Sequence, residues 1–258
     1  MPLVLGFLAA IALETLAPIA AGFWAESRLD TPWRLFTCGA LVFAVAQLGL
    51  RIPLVNWLAR RLALSASASV SAVSWWPLFL AGSASLADQT GRYLGYRLLF
   101  RNFRRNWNNA VMYGLGYGGL ESIFLVGLPS MVALANVVAL PGLDPFSLGL
   151  SPQEARELYQ AKREIASLRF WMPLQTGVES LSMLALQVSL SVLVAQVFLR
   201  SSWRWMIYAL LLHFGAGLAV PLVDLGGSML LAQVGLASVA GGAVYWALRL
   251  RPERAERT

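Results

Sequence analysis

Met172-Pro-Leu-Gln-Thr-Gly-Val-Glu-Ser-Leu-Ser-Met-Leu-Ala-Leu-Gln-Val-Ser-Leu-Ser-Val-Leu-Val-Ala-Gln-Val-Phe-Leu199 runs from Arg169 to Arg200 with one charged side chain, Glu179. A bilayer-crossing helix needs about 20 mostly apolar residues, and this stretch exceeds that. Comparable runs recur near 3–23, 35–50, 63–87, 108–140, 205–222 and 226–248, about seven in all. The composition agrees: 58% of the 258 residues are hydrophobic and 13% charged, with mean hydropathy +0.63. In lipid only helices and closed barrels satisfy their own backbone hydrogen bonds, and runs this long exclude barrel strands. The expected fold is all-α, a polytopic transmembrane bundle of about seven spans in a single membrane domain, 1–258.

The first run lacks a basic leader, is interrupted by Glu14, and passes from Ala20-Ala-Gly22 directly into more apolar sequence. It is expected to remain as the first span rather than be removed as a signal peptide. Cys38, the one cysteine, forms no internal disulfide. The net charge of +7 reads as topology. Between Asp88 and Glu121 stand Arg92, Arg97, Arg101, Arg104 and Arg105 with no acid, and the tail adds Arg249, Arg251, Arg254 and Arg257 against Glu253 and Glu256. Positive loops stay cytoplasmic, so these regions and the Arg200/Arg204 turn belong inside. Seven spans then put the N-terminus outside and the C-terminus in the cytoplasm. Arg51, Arg60 and Arg61 fall on the other side, and Arg51-Ile-Pro-Leu54 is expected to be re-entrant or buried. Nucleic acid is not an expected partner, because the arginines hug span ends and no soluble domain carries them.

The sizeable polar segment is 142–170. Ser151 is placed to cap a helix, Pro152 suits its first turn, and Glu154 reaches back to close a capping box. Leu158, Ala161, Ile165 and Leu168 follow at helical spacing. The segment reads as an amphipathic helix on the outer membrane surface or capping the bundle.

Ionisable groups at membrane depth face the bundle interior and are functional candidates by default. Asp88 and Arg92 are four residues apart, spaced for an internal ion pair. Glu121 shares a helix face with Tyr117 and Tyr113, and Gly114, Gly116, Gly118 and Gly119 permit close backbone approach. Glu179 and Gln187 lie on one stripe of their run, and His213 is the sole histidine. One imidazole cannot build a zinc site of the usual kind. Asp88, Arg92, Glu121, Glu179 and His213 are therefore expected to converge in one internal pocket, with no metal and no cofactor.

Ala81-Gly-Ser-Ala-Ser-Leu-Ala-Asp-Gln-Thr-Gly-Arg-Tyr-Leu-Gly-Tyr-Arg97, followed by Met112-Tyr-Gly-Leu-Gly-Tyr-Gly-Gly-Leu-Glu-Ser122, resembles the YhfC family. That is a group of intramembrane proteases related to the CPBP (abortive-infection and CAAX-processing-like) proteases. The resemblance extends over most of the chain, through Gln47-Leu-Gly-Leu-Arg-Ile-Pro53, Ser189–Val194 and Ala209–His213. It implies a glutamate pair before Gly-Arg, where this chain has Asp88-Gln89-Thr90-Gly91-Arg92. A His-Gly-Gly-x-Glu element becomes Tyr117-Gly-Gly-Leu-Glu121. A Glu-Arg with a downstream histidine becomes Glu179-Ser180 and Gln187, and a late histidine with aspartate four residues on becomes His213 and Gly217. In such a family a glutamate activates water while histidines ligate metal or stabilise the transition state. Asp88 is a methylene shorter than glutamate, and Gln89 takes no proton. Losing that many members of one unit favours a catalytically degenerate protein, either a structural subunit or a binder of membrane lipid, transmembrane segments or other membrane subunits. The alternative is an active endopeptidase with an altered Asp88, Glu121 and His213 site. A small-molecule transporter is disfavoured by the lack of an inverted repeat.

Overall fold

The computed structural model describes residues 1–62, 75–145, 147–218 and 228–252. These form helices α1 Pro2–Leu29, α2 Trp33–Phe43, α3 Ile52–Arg61, α4 Trp76–Leu98, α5 Trp107–Glu121, α6 Leu128–Ala139, α7 Pro152–Ser167, α8 Met172–Leu199, α9 Arg204–Gly217 and α10 Met229–Arg249. No strand occurs among the described residues. π-Helical stretches Ala44–Arg51 and Ser122–Gly127 carry α2 into α3 and α5 into α6. Arg51-Ile-Pro-Leu54 thus belongs to one continuous helix and is not re-entrant; Pro53, which has no N–H to donate, follows directly on the π-helical stretch, where the regular i to i−4 ladder is already interrupted.

Five helical stretches among the described residues are long and apolar enough to cross a membrane: Pro2–Leu29, Trp33–Arg61, Trp107–Gly142, Met172–Leu199 and Leu230–Arg249. The other two expected runs correspond to α4 and α9. α4 starts later than the expected 63–87 and carries Asp88, Arg92 and Arg97, which lower its hydropathy. The stretch 63–74 and the stretch 219–227, on which parts of three expected runs fall, lie outside the described residues.

The chain divides into two compact units, one of Met1–Ala17 and Ser122–Leu181, the other of Pro18–Glu121 and Ser182–Thr258. In the first, the Phe170 carbonyl lies where a side chain on Gly6 would project, and Gly177 packs on Ala10 and Leu13. The α7 capping box forms as the sequence predicts: Ser151 Oγ accepts from the Glu154 amide, and the Ser151 amide donates to Glu154. Leu158, Ala161, Ile165 and Leu168 make the half-buried stripe of an otherwise exposed helix. Lys162 on α7 donates to the Leu143 and Pro141 carbonyls.

The second unit is built around α8 beyond Leu184, where Leu186, Leu190, Val192, Leu193 and Val194 are fully enclosed. A helix apolar on all faces is one other helices surround. α2 and α5 meet backbone to backbone. A methyl on Gly39 would strike the Tyr113 carbonyl, and one on Gly116 the Phe36 carbonyl, so small residues are needed at both. Gly114 and Gly118 likewise let α5 lie on Val188 and Gln187 of α8. At one end of this unit the basic segments gather. Arg105 stacks over Phe198 and donates to the Tyr96 carbonyl, Arg251 stacks over Trp107, Trp107 Nε1 donates to the Ala247 carbonyl, and Asn108 donates to the Leu29 carbonyl.

Candidate functional site

α4, α5, α8, α9 and the first π-helical stretch each contribute polar side chains to the interior of the second unit. Asp88 and Arg92 lie on one face of α4 and pair at 3.9 Å, both enclosed. A lone ion inside an apolar bundle is expensive unless paired and fully hydrogen-bonded, and the surrounding residues supply that. Asp88 accepts from Gln47 Nε2, from the Tyr117 hydroxyl at 2.6 Å and from Gln187 Nε2 at 3.4 Å. Arg92 donates to Ser191 Oγ at 3.1 Å, to Gln89 Oε1 at 3.1 Å and to Gln187 Oε1, and its guanidinium lies 3.8 Å from the Tyr117 ring centroid. Such a cation over an aromatic face gains further electrostatic attraction.

The two arginines orient three glutamines. A guanidinium only donates, so each amide facing it presents oxygen and turns its NH2 away. Arg51 donates to Gln47 Oε1, and Gln47 Nε2 then reaches Asp88. Arg92 fixes Gln187, whose Nε2 serves Asp88 and Glu121 together. It also fixes Gln89, whose Nε2 lies 3.0 Å from His213 Nδ1. The same nitrogen lies 3.4 Å from Asp88 Oδ2, so α9 meets α4 at both Gln89 and Asp88. Arg51 is held in turn by the Leu80 carbonyl at 2.7 Å and Ser83 Oγ at 3.2 Å. The interior thus holds two guanidiniums, Arg51 and Arg92, and two carboxyl groups, Asp88 and Glu121.

Of the five residues expected to converge, four join this network: Asp88, Arg92, Glu121 and His213. Glu179 does not. It belongs to the first unit, is half-buried, and lies eight residues before Gln187, about 12 Å along α8 at 1.5 Å per residue. A shared stripe gave it the right direction at the wrong depth. The sequence reading missed Gln47, Ser191 and the role of Arg51. Their signal was a polar residue within an apolar run, which in lipid requires a partner.

A model of the family described as YhfC intramembrane metalloprotease matches residues 13–239. The chain belongs to the YhfC family. It is similar along nearly its whole length to an uncharacterized membrane protein YhfC of Bacillus subtilis (strain 168), 23% identical over 248 residues, covering 93% of this chain and 93% of that relative. No solved structure matches.

The family's description implies a metal, and the residues of this YhfC-family chain do not fit one. Among the described residues no group of three His, Cys, Asp or Glu side chains is placed to hold an ion. Both oxygens of Asp88 already receive donors, and the sole imidazole meets the Gln89 amide and Asp88 through the same nitrogen. Two guanidiniums, those of Arg51 and Arg92, already stand in the network. An added divalent ion would meet built-in positive charge rather than a vacant set of soft or imidazole donors. Where the resemblance implies an aspartate, Gly217 lies so close to α4 that a Cβ there would meet the Ala81 Cβ at 3.0 Å and its Cα at 3.3 Å.

Proposed function

We propose that this chain is a non-proteolytic YhfC-family membrane protein whose polar centre locks its helices together while an apolar groove takes a hydrophobic membrane segment, a transmembrane helix or a lipid chain. The observation that carries the first half is the relay of arginine to glutamine to carboxylate. Groups in the positions of a base or ligand are consumed as acceptors, and glutamines that exchange no proton stand between them. The second half rests on a groove of about 660 Å³ between the Trp33–Arg61 stretch and α4, walled by Leu41, Val45, Leu54, Leu86, Leu94 and Leu98. Pockets of this size and apolarity suit hydrophobic ligands. Ser83, Thr90 and Arg51 are its polar points.

A second reading, an altered endopeptidase, rests on Glu121. Its carboxylate holds one hydrogen bond, from Gln187, and it is less enclosed than Asp88, which leaves it the freest base in the network.

The gathering of Arg105, Arg251 and the ends of α8 and α1 at one end of the second unit supports an orientation with that end in the cytoplasm and the N-terminus outside. Cysteine labelling at Asn106 and Gln153 tests it, with opposite sides expected and the same side contradicting it. For function, a photo-crosslinking residue at Thr90 is expected to capture hydrophobic peptides or phospholipid in reconstituted membranes. Elemental analysis after chelator washing is expected to find no stoichiometric zinc or iron. Retained stoichiometric metal, or a Thr90 probe that captures neither ligand, overturns the corresponding half of the proposal.

A further inference from the structure

The first unit holds a second buried polar set, distinct in residues from the network above. Glu14 lies 12 residues into α1, about 18 Å along a helix rising 1.5 Å per residue, and is fully enclosed. Ser122, at the start of a π-helical turn, and Ser180 of α8 are buried beside it. The Ser122 hydroxyl lies 2.6 Å from the Glu14 carbonyl oxygen and 2.6 Å from the Ser180 hydroxyl. Thr176 Oγ1 lies 2.9 Å from Glu14 Oε1 and 2.7 Å from the Pro173 carbonyl.

Counting protons shows what is missing. Thr176 has one hydroxyl proton and two acceptors, so the carboxylate receives at most one donor from it. Ser122 gives its proton to a backbone carbonyl, and Ser180 gives its own to Ser122. Glu14 Oε2 is buried with no hydrogen-bond partner. Among the described residues no basic side chain pairs with this carboxylate within 4.0 Å. A Cβ on Gly127 would meet Thr15 Cγ2 at 2.8 Å and approach the Glu14 Cβ at 3.7 Å.

The polar atoms gathered here are hard oxygens: the Glu14 carboxylate with Thr176 Oγ1 on it, and the Ser122 and Ser180 hydroxyls about the Glu14 backbone carbonyl. Oxygen-only sets take hard cations, whereas nitrogen and sulfur select transition metals. A single negative charge balances a monovalent ion and leaves a divalent one over-charged. We propose that Glu14 and Thr176, with Ser122 and Ser180 buried beside them, form a binding site for a small monovalent cation, with sodium as the probe, at the unpartnered oxygen of Glu14. π-Helical turns such as that beginning at Ser122 recur at functional sites, consistent with this placement.

The test is equilibrium binding of radiolabelled sodium to the purified chain in detergent, alongside thermal unfolding in sodium chloride and in choline chloride at equal ionic strength. Saturable binding of one ion per chain is expected, with an unfolding temperature that rises with sodium and not with choline, as ligand linkage requires. Glu14→Gln is expected to abolish both. Thr176→Val, which keeps the charge and the side-chain shape, is expected to weaken binding on the order of tenfold, the loss of one contact to a charged partner. Equal unfolding temperatures in the two salts for the parent chain overturn the proposal. So does sodium dependence that survives unchanged in both variants.

Discussion

The network around Arg92 and the set around Glu14 are both buried, both drawn from separate helices, and resolved in opposite ways. In the first, two guanidiniums face two carboxylates, and three glutamines distribute the donors so that each charge is met. In the second, one carboxylate meets a single hydroxyl, that of Thr176, the Ser122 hydroxyl goes to the backbone carbonyl, and one carboxylate oxygen is left without a partner. What separates them is the number of N–H donors. Amides and guanidiniums offer two to five protons each, while a hydroxyl offers one. A closed network locks helices together. An open, charged one leaves a place for a ligand.

The comparison breaks first at Asp88. Asp88→Asn keeps the shape but points an amide at donors from Gln47, Tyr117 or Gln187 and leaves Arg92 uncompensated. Breaking a buried pair in this way costs about 3–5 kcal/mol. Thermal unfolding in detergent is expected to show a large loss, and a loss below about 1 kcal/mol contradicts the assigned network.

Arg92→Lys is the next largest. The charge stays, but an ammonium cannot hold Gln89, Gln187 and Ser191 in one plane as a guanidinium fork does. A loss of about 2 kcal/mol is expected from the hydrogen bonds to a charged group, read from the same unfolding curves. Stability equal to the parent chain means the arginine acts as a point charge and does not orient the glutamines.

Glu14→Gln reverses the sign of the argument. In sodium-free buffer it removes a charge that no basic side chain among the described residues answers, so stability is expected to stay within about 0.5 kcal/mol or to rise. A loss as large as that of Asp88→Asn erases the distinction between the two sets.

The smallest effect lies at the surface. Hydrogen bonds from the Ser151 side chain and backbone hold the Glu154 carboxyl below its ordinary value of 4.5. A lowered folded pKa gives stabilisation that is full above the ordinary value and lost as pH falls through the lowered one. Amide exchange in the first turn of α7 is therefore expected to quicken only in that acidic window. Ser151→Ala is expected to quicken it at neutral pH as well, and unchanged exchange in that variant contradicts the cap.

The run at Met172–Leu199 was legible to the residue because nothing but its flanking arginines bounds it. The α7 cap was legible because its partners lie three residues apart. α4 was read too early in the chain. Asp88, Arg92 and Arg97 look like the end of a span until partners from α5, α8 and α9 neutralise the first two, and such long-range pairing leaves no local signature. Gln47 and Ser191 did signal a need for partners as polar residues in apolar runs, but not that those partners lie 41 and 99 positions away. Arg51 stood out only as a charge on the wrong side of the topology. Its hydrogen bonds to Gln47, Ser83 and the Leu80 carbonyl give it a place that sidedness alone could not.

The central claim, that the arginine and glutamine relay has closed this YhfC-family site to proteolysis, meets its most direct test in proteoliposomes. The parent chain and Glu121→Gln are reconstituted with a panel of transmembrane peptides, and products are read by mass spectrometry. The substitution preserves shape and hydrogen bonding while removing the freest base. Intact peptides from both proteins are the predicted result. Cleavage by the parent chain that Glu121→Gln abolishes is the result that contradicts it.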